Sequence, residues 1–432
     1  MSQVPPRPPT RSAETRAAQL LRGRGVWDLP LAAGSLLVVL MTAFYFGALV
    51  DPTANLHGLP VALVNRDVGA TTPSGTLELG RKVSSALTGT RAVTKRLAIS
   101  TVKLEHAKAE MNRGAAYVTV VIPPDFTASV LALLNAPRTS ATALPPTIEL
   151  LDNDREGTLG VSLGNGVLQP ALAAVSRAIG RHLAPETEPG SLERRLLADP
   201  VSVSLESYRP LPSHSAVGLS AFYISLLIMM AGFLGAILIH TSVDTVLGYA
   251  SSELGPWWRQ KSPQRIGRWQ TLITEWAVAL PVTLVLSGLL LAVAVGLLKM
   301  DAPHWFELWM YGWFAALTVA AGTLVLFAAL GALGQLLALL AFVYLGLASS
   351  GGTVQVQALN GLFQFFASFE PLRQIVGAVL AILYFNAAGD AGLDRGLVLT
   401  AIGLVFWIVI GAAVTNRYDK RGLERFPTES GT

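Results

Sequence analysis

The chain of 432 residues contains no cysteine. That excludes a thiolate nucleophile, a cysteine-based zinc site, an iron–sulfur centre and any disulfide staple. Charge is also scarce. Asp, Glu, Lys and Arg make up 14% of the residues, against about 25% in a typical soluble domain. The shortage is uneven: charges collect in some segments and vanish from long apolar stretches between them, the pattern of a membrane protein. Motifs for chemistry are equally thin. The six histidines show no His-Glu-x-x-His spacing, no catalytic triad is defensible, and no Walker motif is present to bind ATP. The sequence therefore predicts a protein that is not an enzyme and holds no metal or cofactor. The net charge of +4 is explained by Lys and Arg gathered in the cytoplasmic loops of a membrane protein, so no nucleic-acid partner is expected.

Long apolar runs are what the chain has in abundance. Leu29–Val50 reads as a first span, since about 20 residues cross the bilayer core. It is longer than the apolar core of about 7–15 residues in a cleaved signal peptide, so an uncleaved anchor is expected. Later runs predict spans at Ala216–Ile239, Leu272–Leu298 with a kink at Pro281, Trp309–Leu330, Leu333–Ala348 after a tight turn at Gly331 and Gly334, and Leu397–Val414. Between the last two, Gly351–Ala388 is apolar but interrupted by Glu370, Pro371 and Arg373. It reads as one or two interfacial or re-entrant helices, within an outer segment 351–396. Lys and Arg set the orientation. They cluster in the tail 1–28 (Arg16, Arg22, Arg24), in the loop 241–270 (Arg259, Lys261, Arg265, Arg268) and in the tail 416–432 (Arg417, Lys420, Arg421, Arg425). Six spans put all three clusters inside. The expected fold is an α-helical polytopic membrane protein of a bacterial inner membrane, with both termini in the cytoplasm and the lipid bilayer as its first partner. Spans two to six form a bundle over 214–415. Thr15–Trp27 could lie on the membrane surface as an amphipathic helix.

Residues 51–213 differ: ordinary polarity, many charges and no tryptophan. Strand-like runs occur at Leu59–Asn65, Tyr117–Ile122 and Thr147–Leu151. Helical patterns occur at Ser74–Leu87, Val102–Asn112, Phe126–Leu134 (capped by Asp125) and Leu159–His182. Alternating elements predict an α/β domain, outside the membrane and inserted between spans one and two.

Few residues stand out as chemistry. Gly75–Lys82 looks like a P-loop, but Arg81 and Lys82 stand where Lys and Ser or Thr are needed. Asp152–Gly157 opens like a calcium loop, but Leu163 stands where the closing Glu belongs, so a polar strand-to-helix turn is expected. Glu275 lies about one turn inside span three. An ionisable residue there is a functional candidate, although at that depth it can snorkel or pair with Arg268. Small residues, among them Ala231, Gly235, Gly403 and Gly411, permit close helix packing within one subunit or across a dimer.

Several stretches in order resemble the membrane subunits of type-2 ABC transporters, in the YhgE/Pip (phage infection protein) branch. They are Leu59–Ala70, with Asn65 and Asp67; Gly114–Leu131, with Pro123, Asp125 and Phe126 after Ile122; Leu151–Asn153 with the long helix that follows; and Ser349–Thr353 (Ser350, Gly351, Gly352, Thr353), followed by Arg373. Gln355 and Asn360 stand about where members often carry proline. The resemblance implies a permease half of an export system, working as a homodimer with a separate ATP-binding subunit and moving lipophilic or amphipathic substrates. It further implies that the loop 241–270 meets the ATPase, with Asp244, Glu253, Trp257, Trp258, Arg259 and Arg265 as candidate contacts. The alternative is a non-transporting receptor, scaffold or envelope-assembly protein that acts through its outer domain. An ion-coupled transporter is disfavoured, because titratable groups are scarce at mid-membrane.

Overall fold

The computed structural model describes residues 24–49, 51–72, 75–135, 145–183, 199–423 and 425. The surface helix expected from Thr15 lies almost wholly outside them. The first element is α1, Arg24–Leu49. Leu36, Val38, Val39 and Met41 on it are exposed, while its last turn is held: Asn360 donates to the Gly47 carbonyl at 2.8 Å and Phe44 packs edge-on against Phe363.

A sheet domain follows, with strands β1 Leu59–Asn65, β2 Ala70–Thr72, β3 Gly75–Leu77, β4 Leu97–Thr101, β5 Val118–Ile122, β6 Thr147–Asp152 and β7 Ser202–Ser207. Five of them form one sheet in the order β4-β1-β5-β6-β7, and β2 and β3 form a separate hairpin. β1 runs parallel to β4 and β5, β6 antiparallel to β5, and β7 parallel to β6. Every residue of β5 is buried. That is why its run is apolar throughout rather than alternating: both faces of the sheet are covered. On one face Leu63, Val120 and Leu150 meet Leu87 of α2 (Leu79–Gly89). On the other, Val64 and Val121 meet Ala107 and Met111 of α3 (Leu104–Asn112). The first face also receives Phe126 of α4 (Phe126–Asn135) and Leu168 and Leu172 of the long α5 (Thr158–Leu183).

The bundle comprises α6 Ser220–Val246, α7 Arg268–Leu291 with a π-helical extension Ala292–Leu297, α8 Trp305–Leu330, and α9 Ala332–Ser349. Beyond them come α10 Gly361–Ala367, α11 Pro371–Tyr384 and α12 Leu393–Lys420. Among the described residues six helices are long and apolar enough to cross a membrane: α5, α6, α7, α8, α9 and α12. The number matches the expectation but the membership differs. α5 passes on length and composition, yet its apolar side is spent on the sheet. In α1 the apolar stretch Gly34–Leu49 is the shorter one. The structure thus joins an α/β sheet region to a mostly helical, multi-pass body.

α8 is the hub. α6 crosses it where a Cβ on Gly232 would collide with the Ala316 carbonyl, the close approach that small residues allow between membrane helices. A Cβ on Gly411 would lie 2.8 Å from Val325 and 3.0 Å from Leu272, so that glycine serves packing within the chain. α12 turns Leu397, Val398, Ile402, Val405, Phe406 and Val409 outward, an apolar surface suited to lipid. α10 and α11 are bent by 68° at Ser368–Glu370. There Glu370 accepts from the amides of Leu372 and Arg373, both at 2.8 Å, and Pro371 occupies the first turn, where its missing N–H costs nothing. α11 is buried along nearly its whole length. This accounts for an apolar segment shorter than a span: it is a core helix of the bundle.

Candidate functional site

The residues singled out from sequence fall into three places. The first is a structural knot in the sheet domain. Asp67 Oδ1 accepts from the amides of Thr127 (3.0 Å) and Gly69 (3.3 Å), and Oδ2 accepts from Gly80 N (2.9 Å) and the Thr127 hydroxyl (2.5 Å). Asn65 Oδ1 in turn accepts from Asp67 N at 3.0 Å, and Phe126 fills the core. Pro123 starts the turn into α4, its carbonyl accepting from Phe126 N. The Thr127 amide expected to pair with Asp125 goes instead to Asp67, while the Asp125 carboxylate accepts from Ser129 at 3.2 Å. The P-loop-like glycine, Gly80, thus gives its amide to a carboxylate of its own chain.

The second place is the end of the bundle remote from the sheet. There β8 Ser252–Leu254 and β9 Trp257–Arg259 form a hairpin with Glu253 opposite Trp258. Trp257 and Trp258 are 74% and 61% exposed, and Arg259 and Arg265 are exposed beside them. Asp244 is already engaged: Arg425 grips both its oxygens at 2.6 Å. Glu275 is buried and pairs with His240 Nδ1 at 2.7 Å, and His240 Nε2 stands 3.5 Å from Asp244. The Arg268 partner expected for Glu275 is overturned. Arg268 lies over the Tyr418 ring and donates to the Leu423 carbonyl, because Asp419 has caught the α7 N-terminus through the amides of Arg268 and Trp269. His240, Asp244 and Glu275 have the donor types and spacing of a metal site. Arg425 and the direct His–Glu bond already satisfy those donors.

The third place is the joint between the sheet domain and the bundle. Gly351, Gly352, Thr353 and Arg373 line a cavity of about 50 Å³ together with Tyr117, Glu156, Gln355 and Phe222. Ser350 is buried behind them, its hydroxyl accepting from Gly352 N. Glycine lets the two bodies meet at Gly157, where a Cβ would collide with Gln355; glycines also allow close packing within each body, Gly160 against Tyr117 and Gly352 against Phe222. Gly351 holds a φ of +73°, which glycine adopts without strain. Burial pushes the Glu156 carboxyl up to about 8, against the partial pull of Arg373 and of the hydroxyl of Tyr117. Among the described residues Gln355 Oε1, which is buried, finds no hydrogen-bond partner. Among the described residues Arg373 makes no direct ion pair, although it acts on both Glu156 and Tyr117.

The carboxylates of the calcium-like turn diverge. Asp152 holds Asn165 at 3.0 Å, Asp154 takes the Ser207 hydroxyl at 2.5 Å, and Glu156 faces the cavity. Next to Glu156, Arg155 donates to the carbonyls of Pro210 and Tyr384. The string Gly160-Val161-Ser162-Leu163-Gly164 has the spacing of a nucleophile elbow. It lies wholly inside α5, not at the strand-to-helix turn that the elbow requires.

No curated protein shows significant similarity to the chain. A crystallised domain provisionally assigned to an ABC type-2 transporter of Thermotoga maritima matches at 17% identity. It covers 38% of this chain and 97% of its own, with a TM-score of 0.24, too low for the likeness to bear on the fold. The informative match is to a family model. Over residues 34–412, which include the sheet domain, the joint and nearly all of the bundle, the chain fits the family described as "Protein of unknown function (DUF3533)", and it belongs to that family.

Proposed function

We propose that the chain is the membrane subunit of an ABC-type exporter. It works as a dimer with a separate ATPase, and its substrates are lipophilic or amphipathic. The observation that carries this reading is the hairpin Ser252–Arg259. At the bundle end remote from the sheet domain it presents two adjacent exposed tryptophans and an arginine, the residue types enriched where proteins dock. Its surroundings are basic, with Lys261 and Arg265 exposed nearby, which supports placing this end in the cytoplasm and the sheet domain outside. The titratable groups of the spans also fit. Buried Glu275 pairs with His240 near the hairpin end rather than at mid-span, so the energy would come from a partner rather than from an ion gradient.

The test is purification of the intact protein from native membranes in mild detergent, with mass spectrometry of what accompanies it. A stoichiometric ATP-binding subunit that is lost from Trp258→Ala and Arg259→Ala variants supports the exporter. Both side chains are exposed, so these variants keep the fold. A preparation free of any ATPase, or carrying only envelope proteins, overturns it and moves the function to the outer domain as receptor or scaffold.

A further inference from the structure

The joint places a carboxyl of one body against a surface made by the other. Glu156 belongs to the β6–α5 turn of the sheet domain. Opposite it stand Arg373 of α11, Gln355, the Gly351–Thr353 turn and Phe222 of α6. Its Oε2 lies so close to Gly114 that a Cβ there would collide with it. We propose that Glu156 is a proton-binding site that locks the sheet domain onto the bundle: the joint closes around the neutral acid and loosens when the proton leaves.

The charged and titratable groups around Glu156 support this assignment. Among the described residues, Arg373 and Tyr117 are the titratable or charged groups that act on it. Others nearby are occupied: Arg155 by the Pro210 and Tyr384 carbonyls, Asp154 by Ser207, Arg113 by Asp390 at 3.5 Å, Arg209 by the Asn112 carbonyl, and Glu370 by the start of α11. Charging Glu156 in place would therefore bury a carboxylate with no direct ion pair, an expensive arrangement. The cavity has room for a few water molecules, enough to carry the proton out.

The sign follows from linkage. Closed, the carboxyl titrates at about 8; opened to water it returns towards its ordinary 4.5. Below the ordinary range both states hold the proton and the joint has its full strength. As pH rises towards 8 the open state ionises first, so the opening constant grows by up to about tenfold per pH unit. Above about 8 both states are ionised and the dependence flattens. Nothing in this depends on whether an ATPase drives the bundle.

The experiment uses the full-length protein in lipid nanodiscs and follows amide hydrogen exchange, corrected for intrinsic rate, between about pH 6 and about pH 9. Wild type should lose protection at residues 351–357 and 154–160 as pH rises, by tenfold or more across the range. Glu156→Gln, a neutral group of the same size, should stay protected and flat. A flat wild-type profile, or the same fall in Glu156→Gln, overturns the proposal. Should the Gln variant fail to fold, Glu156→Asp decides: a shorter acid must shift the profile along the pH axis, and an unchanged profile overturns the proposal equally.

Discussion

Asp67 carries the most measurable load in the sheet domain. Its carboxylate receives four hydrogen bonds, two of them from amides in the first turns of α2 and α4, through Gly80 and Thr127. Thr127 extends the chain, its hydroxyl donating to Asp67 while accepting from Leu79 N at 2.8 Å. Replacing Asp67 by Ala removes a cap from each of two helices, at about 1 kcal/mol apiece, and leaves the fully buried Thr127 hydroxyl without its acceptor, for about 1 kcal/mol more. The total is about 3 kcal/mol. Asp67→Asn should cost less, about 2 kcal/mol, because one oxygen remains while the new NH₂ points at a donor. The sheet domain has no tryptophan, so indole fluorescence is blind to it. Hydrogen exchange at β1 and β5 in the intact protein is the assay, and about 3 kcal/mol appears there as exchange roughly a hundredfold faster. A change under about threefold in Asp67→Ala, or an Asn variant as damaging as Ala, would refute the view that the knot ties two helix starts to one carboxylate.

Three further outcomes are expected. Gly232→Ala should destabilise the α6–α8 crossing by about 1–3 kcal/mol, read as a lower unfolding temperature in detergent; a neutral result would mean that the helices part at no cost. Arg425→Ala removes the bidentate partner of Asp244 and should make residues 417–425 more sensitive to limited proteolysis, without altering exchange in the sheet domain. Gly351→Ala forces a side chain into a φ of +73°, at a cost of about 1 kcal/mol or more, and should raise exchange at 350–357 even at the pH where the joint is tightest.

How much of this is legible in the sequence depends on where the information resides. β1 and β5 announce themselves because they are covered strands with nearly continuous apolar runs, and β6 through Ile148, Leu150 and Leu151, which it buries between polar neighbours. β4 (LAIST) and β7 (SVSLES) do not, because both are edge strands and largely open to solvent, so half their residues are polar. The helix read from Ser74 begins only at Leu79, since Gly75–Leu77 pairs with Ala70–Thr72 instead. The bundle helices are plain from hydropathy, with ends that run several residues beyond the apolar stretch, as in α12. At the joint, the resemblance points to Gly351–Thr353 and Arg373, whereas Glu156 is marked only as one carboxylate of a calcium-like turn and Tyr117 only as the start of a strand. A glutamate in a polar turn reads as solvated. What buries it is a segment some two hundred residues later, and no periodicity reports a contact of that range. His240 could have been found: with Asp244 it forms an i, i+4 pair at the end of an apolar run, one helix away from Glu275.

The grip of the sheet domain on α11 has a mechanical consequence. Adjacent residues of one turn straddle that helix, with Glu156 facing Arg373 in its first turn and Arg155 bound to the Tyr384 carbonyl at its last residue. The helix is 14 residues, about 20 Å long, so the turn reaches it near both ends, across the cavity at one and through a hydrogen bond at the other. Along its flank α11 is pressed onto α12, where a Cβ on Gly396 would lie 2.5 Å from that of Ala378. Torque applied to the sheet domain is therefore delivered to α11 near both of its ends and passed sideways to α12, whose other side is apolar and exposed.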